Sequence, residues 1–117
     1  MLRRELHRRG RRYTLRSALP GRPDVVFPGQ KVAVFVDGDM WHGQGWRERG
    51  FAAMEEQFAH HRNPEFWIRK IRRNMQRDQE VNSQLLRLGW RVVRVLESDL
   101  RRDLAVAADR VEDTLDE

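Results

Sequence analysis

Asp24-Val-Val-Phe-Pro-Gly-Gln-Lys-Val-Ala-Val-Phe-Val36 is the stretch that decides the fold. Two short apolar runs, 24–27 and 31–36, flank the turn residues Pro28-Gly29-Gln30, and together they read as two antiparallel strands joined by a hairpin-type loop. Upstream, Ala18-Leu-Pro-Gly-Arg-Pro23 is a turn-rich connection, and residues 12–16 read as a further short strand around Tyr13 and Leu15. Residues 2–9 are good helix formers, with Leu2 and Leu6 four apart and Gly10 as a stop.

Downstream, residues 38–63 are irregular and rich in Gly, Trp and His, a long functional loop with a short helix expected around 51–59. Asn63-Pro64-Glu65 then gives an N-cap, a proline at the first helical position and an early acid, so a helix is expected from 64 to 88, ending at Gly89. Arg91-Val-Val-Arg-Val-Leu96 reads as a buried strand, and Ser98 is placed to cap a last amphipathic helix through residue 115. The order is helix, three strands, helix, strand, helix. This is a single α/β domain over 1–117, with a central mixed sheet flanked by helices.

The 117 residues suffice for one domain with a modest core. No stretch approaches the roughly 20 apolar residues that a membrane span requires, and the basic start is followed by no apolar signal region. The expectation is therefore a cytoplasmic protein with no membrane partner. The chain has no cysteine, which excludes disulfide scaffolds, thiol nucleophiles and thiolate zinc sites.

Lys and Arg number 23 against 18 acids, a net charge of +5, and only Lys31 and Lys70 are lysines. The basic residues cluster in 3–16 and in 69–77. Such faces suit a polyanion, whose binding is driven by phosphate neutralisation and counterion release. A GC-rich genome and a merely solvated basic surface account for the same numbers.

Three acids stand out. Asp24 follows Pro23 and opens an apolar strand. A tight hairpin sets it beside Val34 to Val36 and near Asp37, so that two carboxylates and a backbone carbonyl converge at one sheet end, a hard-oxygen arrangement suited to Mg²⁺. A plain turn aspartate is the alternative. On the long helix, Trp67, Ile68, Ile71, Met75 and Leu85 form one apolar stripe. Asp78 falls about −20° from Ile71 on that wheel, within the same stripe. A carboxylate there needs either a buried arginine or a histidine held in one tautomer as a general base.

Of the four histidines, His7, His60 and His61 lie in polar surroundings, whereas His42 follows Trp41 close beyond the second strand. Met40, Trp41, Trp46 and Trp67 sit in or beside the loop, as core side chains or as apolar wedges of the kind that open a base step.

Four segments, in order, resemble the very-short-patch repair endonucleases. They are Leu19-Pro-Gly-Arg-Pro-Asp24-Val-Val-Phe, Val34-Phe-Val-Asp-Gly38-Asp-Met-Trp-His42-Gly, Glu65-Phe-Trp-Ile-Arg-Lys-Ile-Arg-Arg-Asn74-Met-Gln-Arg-Asp78, and Leu88-Gly-Trp-Arg-Val-Val-Arg-Val-Leu-Glu97. The match covers most of residues 2–100 at family-like spacing, apart from a longer 43–62 loop. The resemblance implies a restriction-endonuclease-like fold and Mg²⁺-dependent hydrolysis of one strand of duplex DNA at a T·G mismatch left by deamination of 5-methylcytosine.

It implies that Asp24 and the Val36 carbonyl bind the metal, and that His42 and Asp78 activate the attacking water. Asp37 stands where some relatives carry histidine and joins the expected catalytic set. Met40, Trp41 and Trp67 match the wedge positions, and Lys70 and Asn74 in the matching helix join them as expected DNA contacts. A functional link to a cytosine-5 methyltransferase is also implied. A monomer is expected, because one active site nicks one strand.

The chain departs from the family pattern in two places. The usual zinc ligands correspond to Asp39, Gln44, Trp46 and Ser98, so no structural zinc is expected. By the resemblance, the family's first-helix glutamate is expected just before Met1, with Glu5 on roughly the opposite helical face, and no counterpart of the N-terminal arm is expected within residues 1–117. Two other readings stay open: a related nicking endonuclease acting on modified or unmatched DNA in restriction or defence, and a catalytically weakened DNA-binding module.

Overall fold

The structure is a computed structural model and describes residues 1–38, 50, 51 and 53–117. Strands β1 (Val25–Phe27) and β2 (Val32–Asp37) form the hairpin read from the sequence, with Val25 opposite Val34 and Phe27 opposite Val32. Its turn closes with the Lys31 N–H donating to the Pro28 carbonyl at 3.3 Å, and Lys31 takes the left-handed conformation at φ 55°. Strand β3 (Arg91–Leu96) lies parallel to β2 on its other side, with Val36 opposite Val95, so β2 is the central strand.

Residues 12–16 contribute a bridge rather than a strand. Thr14 and Val26 exchange both backbone hydrogen bonds at 2.9 Å. On one side of this bridge Arg11 is tied to Glu112 and Asp116, and on the other the Leu19 N–H already turns back to the Ser17 hydroxyl. The extended pairing is therefore cut short at both ends.

Helices cover both faces of the sheet. Helix α1 (Leu2–Arg8) and the last helices cover one face, where Leu2 and Leu6 pack with Val25, Phe27, Val34, Val93, Val95, Val111 and Leu115. On the other face, helix α2 (Pro64–Arg87) sets Val81 and Leu85 against Ala33 and Phe35, with Trp90 and Val92 at the margin. The N-terminal half of α2 packs Ile71, Trp67, Ile68 and Met75 against Met54 and Phe58 of a short 3-10 turn, Met54–Phe58, where a short helix is expected. The Asn63 side chain caps α2 by accepting from the Phe66 N–H, with Pro64 at the first position.

The final helical stretch is two helices, α3 (Glu97–Arg102) and α4 (Leu104–Leu115). Ser98 does not cap it; it is buried inside α3. Asp103 breaks the run with φ −156° and caps α4 by accepting from the Val106 N–H at 3.2 Å. An aspartate mid-run gains more as a cap for the next helix than as an interior residue, which explains the break.

Candidate active site

Asp24 sits where β1 begins and its partner β2 runs on. The Asp24 N–H donates to the Val34 carbonyl at 2.9 Å, and its Oδ2 accepts the Val36 N–H at 2.7 Å. The side chain thus takes the ladder position that backbone would fill one residue earlier. Along a strand, the N–H and C=O of one residue project to the same side, so the Val36 carbonyl flanks the same gap as the Asp24 carboxylate. The turn before it brings α2 close. Leu19-Pro-Gly-Arg22 folds back with the Arg22 N–H on the Leu19 carbonyl, and Gly21 at φ +77° has no room for a Cβ beside Val81.

Asp24, Val36, Asp37 and Asp78 line one cavity of about 210 Å³ together with Arg22, Arg77 and Arg94. The hairpin geometry therefore brings Asp24, Val36 and Asp37 together, and α2 adds Asp78. Asp37 is 6% exposed, and both of its oxygens accept from Arg94 Nη1, at 3.0 and 3.1 Å. The same guanidinium lies 3.6 Å from Asp78 Oδ1, donates to the Asn82 Oδ1 at 2.8 Å and to the Asp78 carbonyl at 3.5 Å, and stacks 4.2 Å over the Phe35 ring.

The arginine partner that the helical wheel allowed for Asp78 is thus Arg94, and it serves Asp37 as well. The sequence reading named no such residue. Its signal was the single charge that interrupts the apolar run 92–96.

His42, Met40 and Trp41 lie outside the described residues, as do Asp39, Gln44 and Trp46. Trp67 is half-buried, its ring parallel to Phe58 at 6.4 Å and edge-on to Phe66 at 5.4 Å. The neighbouring Phe66 is the more open ring at 46% exposed. It shares a groove of about 560 Å³ along α2 with Arg69, Lys70, Arg73, Asn74 and Arg77. Lys70 Nζ lies 5.8 Å from the Trp67 ring and 5.9 Å from Phe66. Lys70 and Asn74 are thereby placed on one cationic face.

Glu5 is elsewhere. It accepts from Arg8 and Arg9, and these contacts hold its carboxyl down to about 2. Arg9 continues to Asp109 and Glu112 of α4, so this acid belongs to a clasp between the two helices. Among the described residues no group of three or more His, Cys, Asp or Glu side chains is arranged to hold a metal.

The family model described as DNA mismatch endonuclease Vsr matches residues 1–48. A type II nicking enzyme of Neisseria meningitidis serogroup C is 41% identical over 103 residues, which is 87% of this chain and 65% of that protein. The DNA mismatch endonuclease Vsr of Escherichia coli is 36% identical over 85 residues, 73% of this chain and 49% of that protein. Among these curated relatives the chain thus spans between about half and two thirds of the partner's length. The match extends further in a type II nicking enzyme of Xanthomonas oryzae pv. oryzae, 38% identical over 112 residues, 95% of this chain and 76% of that protein. With the mixed sheet between helices and Asp24 at the start of β1, these likenesses establish that the chain belongs to the DNA mismatch endonuclease Vsr family.

Proposed function

We propose that the chain is a Mg²⁺-dependent DNA endonuclease that nicks one strand at T·G mismatches arising from deamination of 5-methylcytosine. The observation that carries the nuclease reading is the Asp24 carboxylate locked onto the Val36 N–H at 2.7 Å, beside the Val36 carbonyl. One Asp24 oxygen is used by the protein, which leaves the other oxygen and the carbonyl as hard donors at one gap. That set fits a small divalent cation, because Mg²⁺ takes one or two carboxylates and fills its remaining positions with water and phosphate. When bound, such an ion supplies stabilisation of the developing negative charge on phosphate and a lowered pKa of water.

The chain's own groups do the rest. His42 is the proposed proton acceptor for the attacking water, and Asp78 is the carboxylate proposed to fix its tautomer. Asp37 contributes by anchoring Arg94, which sets a positive charge beside Asp78. The groove of Phe66, Arg69, Lys70, Arg73, Asn74 and Arg77 offers cations to the phosphate backbone of duplex DNA. Met40, Trp41 and Trp67 are the proposed wedges, which favour a mismatched step because it costs less to unstack. The enzyme acts as a monomer in the cytoplasm and is functionally linked to a cytosine-5 methyltransferase. No helix among the described residues is long and apolar enough to cross a membrane.

Labelled duplexes that differ only by T·G or C·G at one position, incubated with Mg²⁺, test the reading. Nicking confined to T·G and lost in Asp24→Asn, with DNA binding retained, is the expected result. Equal cutting of both duplexes removes the mismatch claim, and nicking by Asp24→Asn moves the metal site elsewhere. A second reading, nicking of modified or otherwise unmatched DNA, draws on the relatives named as type II nicking enzymes. A cleavage profile across modified, mismatched and plain duplexes separates the two.

A further inference from the structure

We propose that Glu97 supplies a second carboxylate to the cation held at Asp24 and Val36. The inference rests on the metal reading above and extends it to a residue on the opposite face of the sheet from Asp78. Asp24 and Val36 border two cavities. One is the α2-side cavity of Asp37, Asp78 and Arg94. The other, about 460 Å³, opens on the α1 side and is lined by Asp24, Val36, Glu97, Arg3, Arg101 and the apolar residues beneath them.

The sheet register accounts for this placement. Val36 lies opposite Val95 in the parallel pair, so Glu97 emerges two residues beyond Val95 at the sheet end where Asp24 sits. Val93 and Val95 pack in the core on the α1 side, and Glu97, the first residue of α3, borders the cleft on that same side together with Leu2 and Arg3.

The chemistry of the cleft is consistent with a cation and its phosphate. Glu97 is the only carboxylate besides Asp24 among the described residues that line it, and Arg3 and Arg101 stand on the same wall. The Glu97 contact to Arg101 is long, 3.9 Å, with both side chains more than half exposed. Such an exposed pair holds its members weakly, so Glu97 turns to a divalent ion at little cost. Two carboxylates and one carbonyl, completed by water and phosphate, make an ordinary Mg²⁺ shell.

Calorimetric titration of the full chain with Mn²⁺, without DNA, tests this independently of turnover. The wild type should bind one ion, Asp24→Asn should lose it, and Glu97→Gln should bind about tenfold more weakly. Asp99→Asn removes the same charge two residues on, from a side chain that does not line the cleft, and should bind as the wild type does. Wild-type affinity in Glu97→Gln overturns the role of Glu97 and leaves the Asp24 site standing. Equal weakening in Asp99→Asn and Glu97→Gln overturns it too, because the loss is then bulk charge. Failure of the wild type to bind Mn²⁺ overturns both this inference and the metal reading beneath it.

Discussion

Arg94 Nη1 lies 3.0 and 3.1 Å from the two carboxylate oxygens of Asp37, inside a pocket that leaves Asp37 only 6% exposed. A carboxylate so buried is tolerable only while its counter-charge stays in place. Arg94→Met strips that charge and leaves the acid stranded, so the variant should lose about 3 kcal/mol of stability in urea unfolding. Adding Asp37→Asn to it should recover part of the loss, with a coupling of about 1 kcal/mol or more. Simple additivity of the two substitutions would show that the pair is not the source of the effect.

The same guanidinium marks where the sequence stops being legible. The hairpin, the Asn63-Pro64 start of α2 and the strand at 91–96 rest on local signals, and all three form as expected. The placing of Asp24 against Val36 also followed from a short turn between adjacent strands. Arg94 reaches Asp37 only because β3 lies parallel to β2, a non-local pairing across 57 residues that periodicity cannot reveal. The break at Asp103 was hidden for a different reason. An amphipathic pattern runs through 98–115 on both sides of the aspartate, and only its conformation shows that it caps a second helix.

Gly21 ties the loop before β1 to α2. A Cβ at this position would lie 2.6 Å from Val81 Cγ1 and 3.2 Å from the Phe35 ring, on a backbone at φ +77°. Gly21→Ala therefore meets both a left-handed backbone and a packed wall, and should destabilise the fold by about 1 to 3 kcal/mol. Chemical denaturation measures the loss. If Val81→Ala in the same chain relieves it, the clash is the main cause; if not, the backbone conformation is.

Glu5 gives the fold an acid-sensitive clasp. Hydrogen bonds from Arg8 and then Arg9 hold its carboxyl down to about 2, against 4.5 for the free group, and Arg9 and Arg11 likewise lower Glu112. A carboxyl depressed in the folded state stabilises it above the unfolded value, and the contribution fades as pH falls through the folded one. Thermal melts of wild type and Glu5→Gln should thus differ most near neutral pH. The gap should narrow from about 4.5 downward and close near 2. A gap that stays constant from pH 7 to 2.5 would mean that the substitution acts through packing and not through charge.

Arg69, Arg73 and Arg77 recur every fourth residue along the α2 groove, so they present one row of cations beside Phe66 and Asn74. A row set by helical rise suits repeated phosphates better than individual bases. Arg73→Ala should then weaken binding to T·G and C·G duplexes alike, and make the dependence of log Kd on log salt shallower by about one unit. The ratio of mismatched to matched affinity should be unchanged, since phosphate contacts carry no sequence information. Asn74→Ala is the contrasting case, because an amide that reads a base edge changes that ratio and leaves the salt slope as it was. If Arg73→Ala shifts the ratio instead, the arginine reads a base, and the row must cross the groove of the duplex instead of following its backbone.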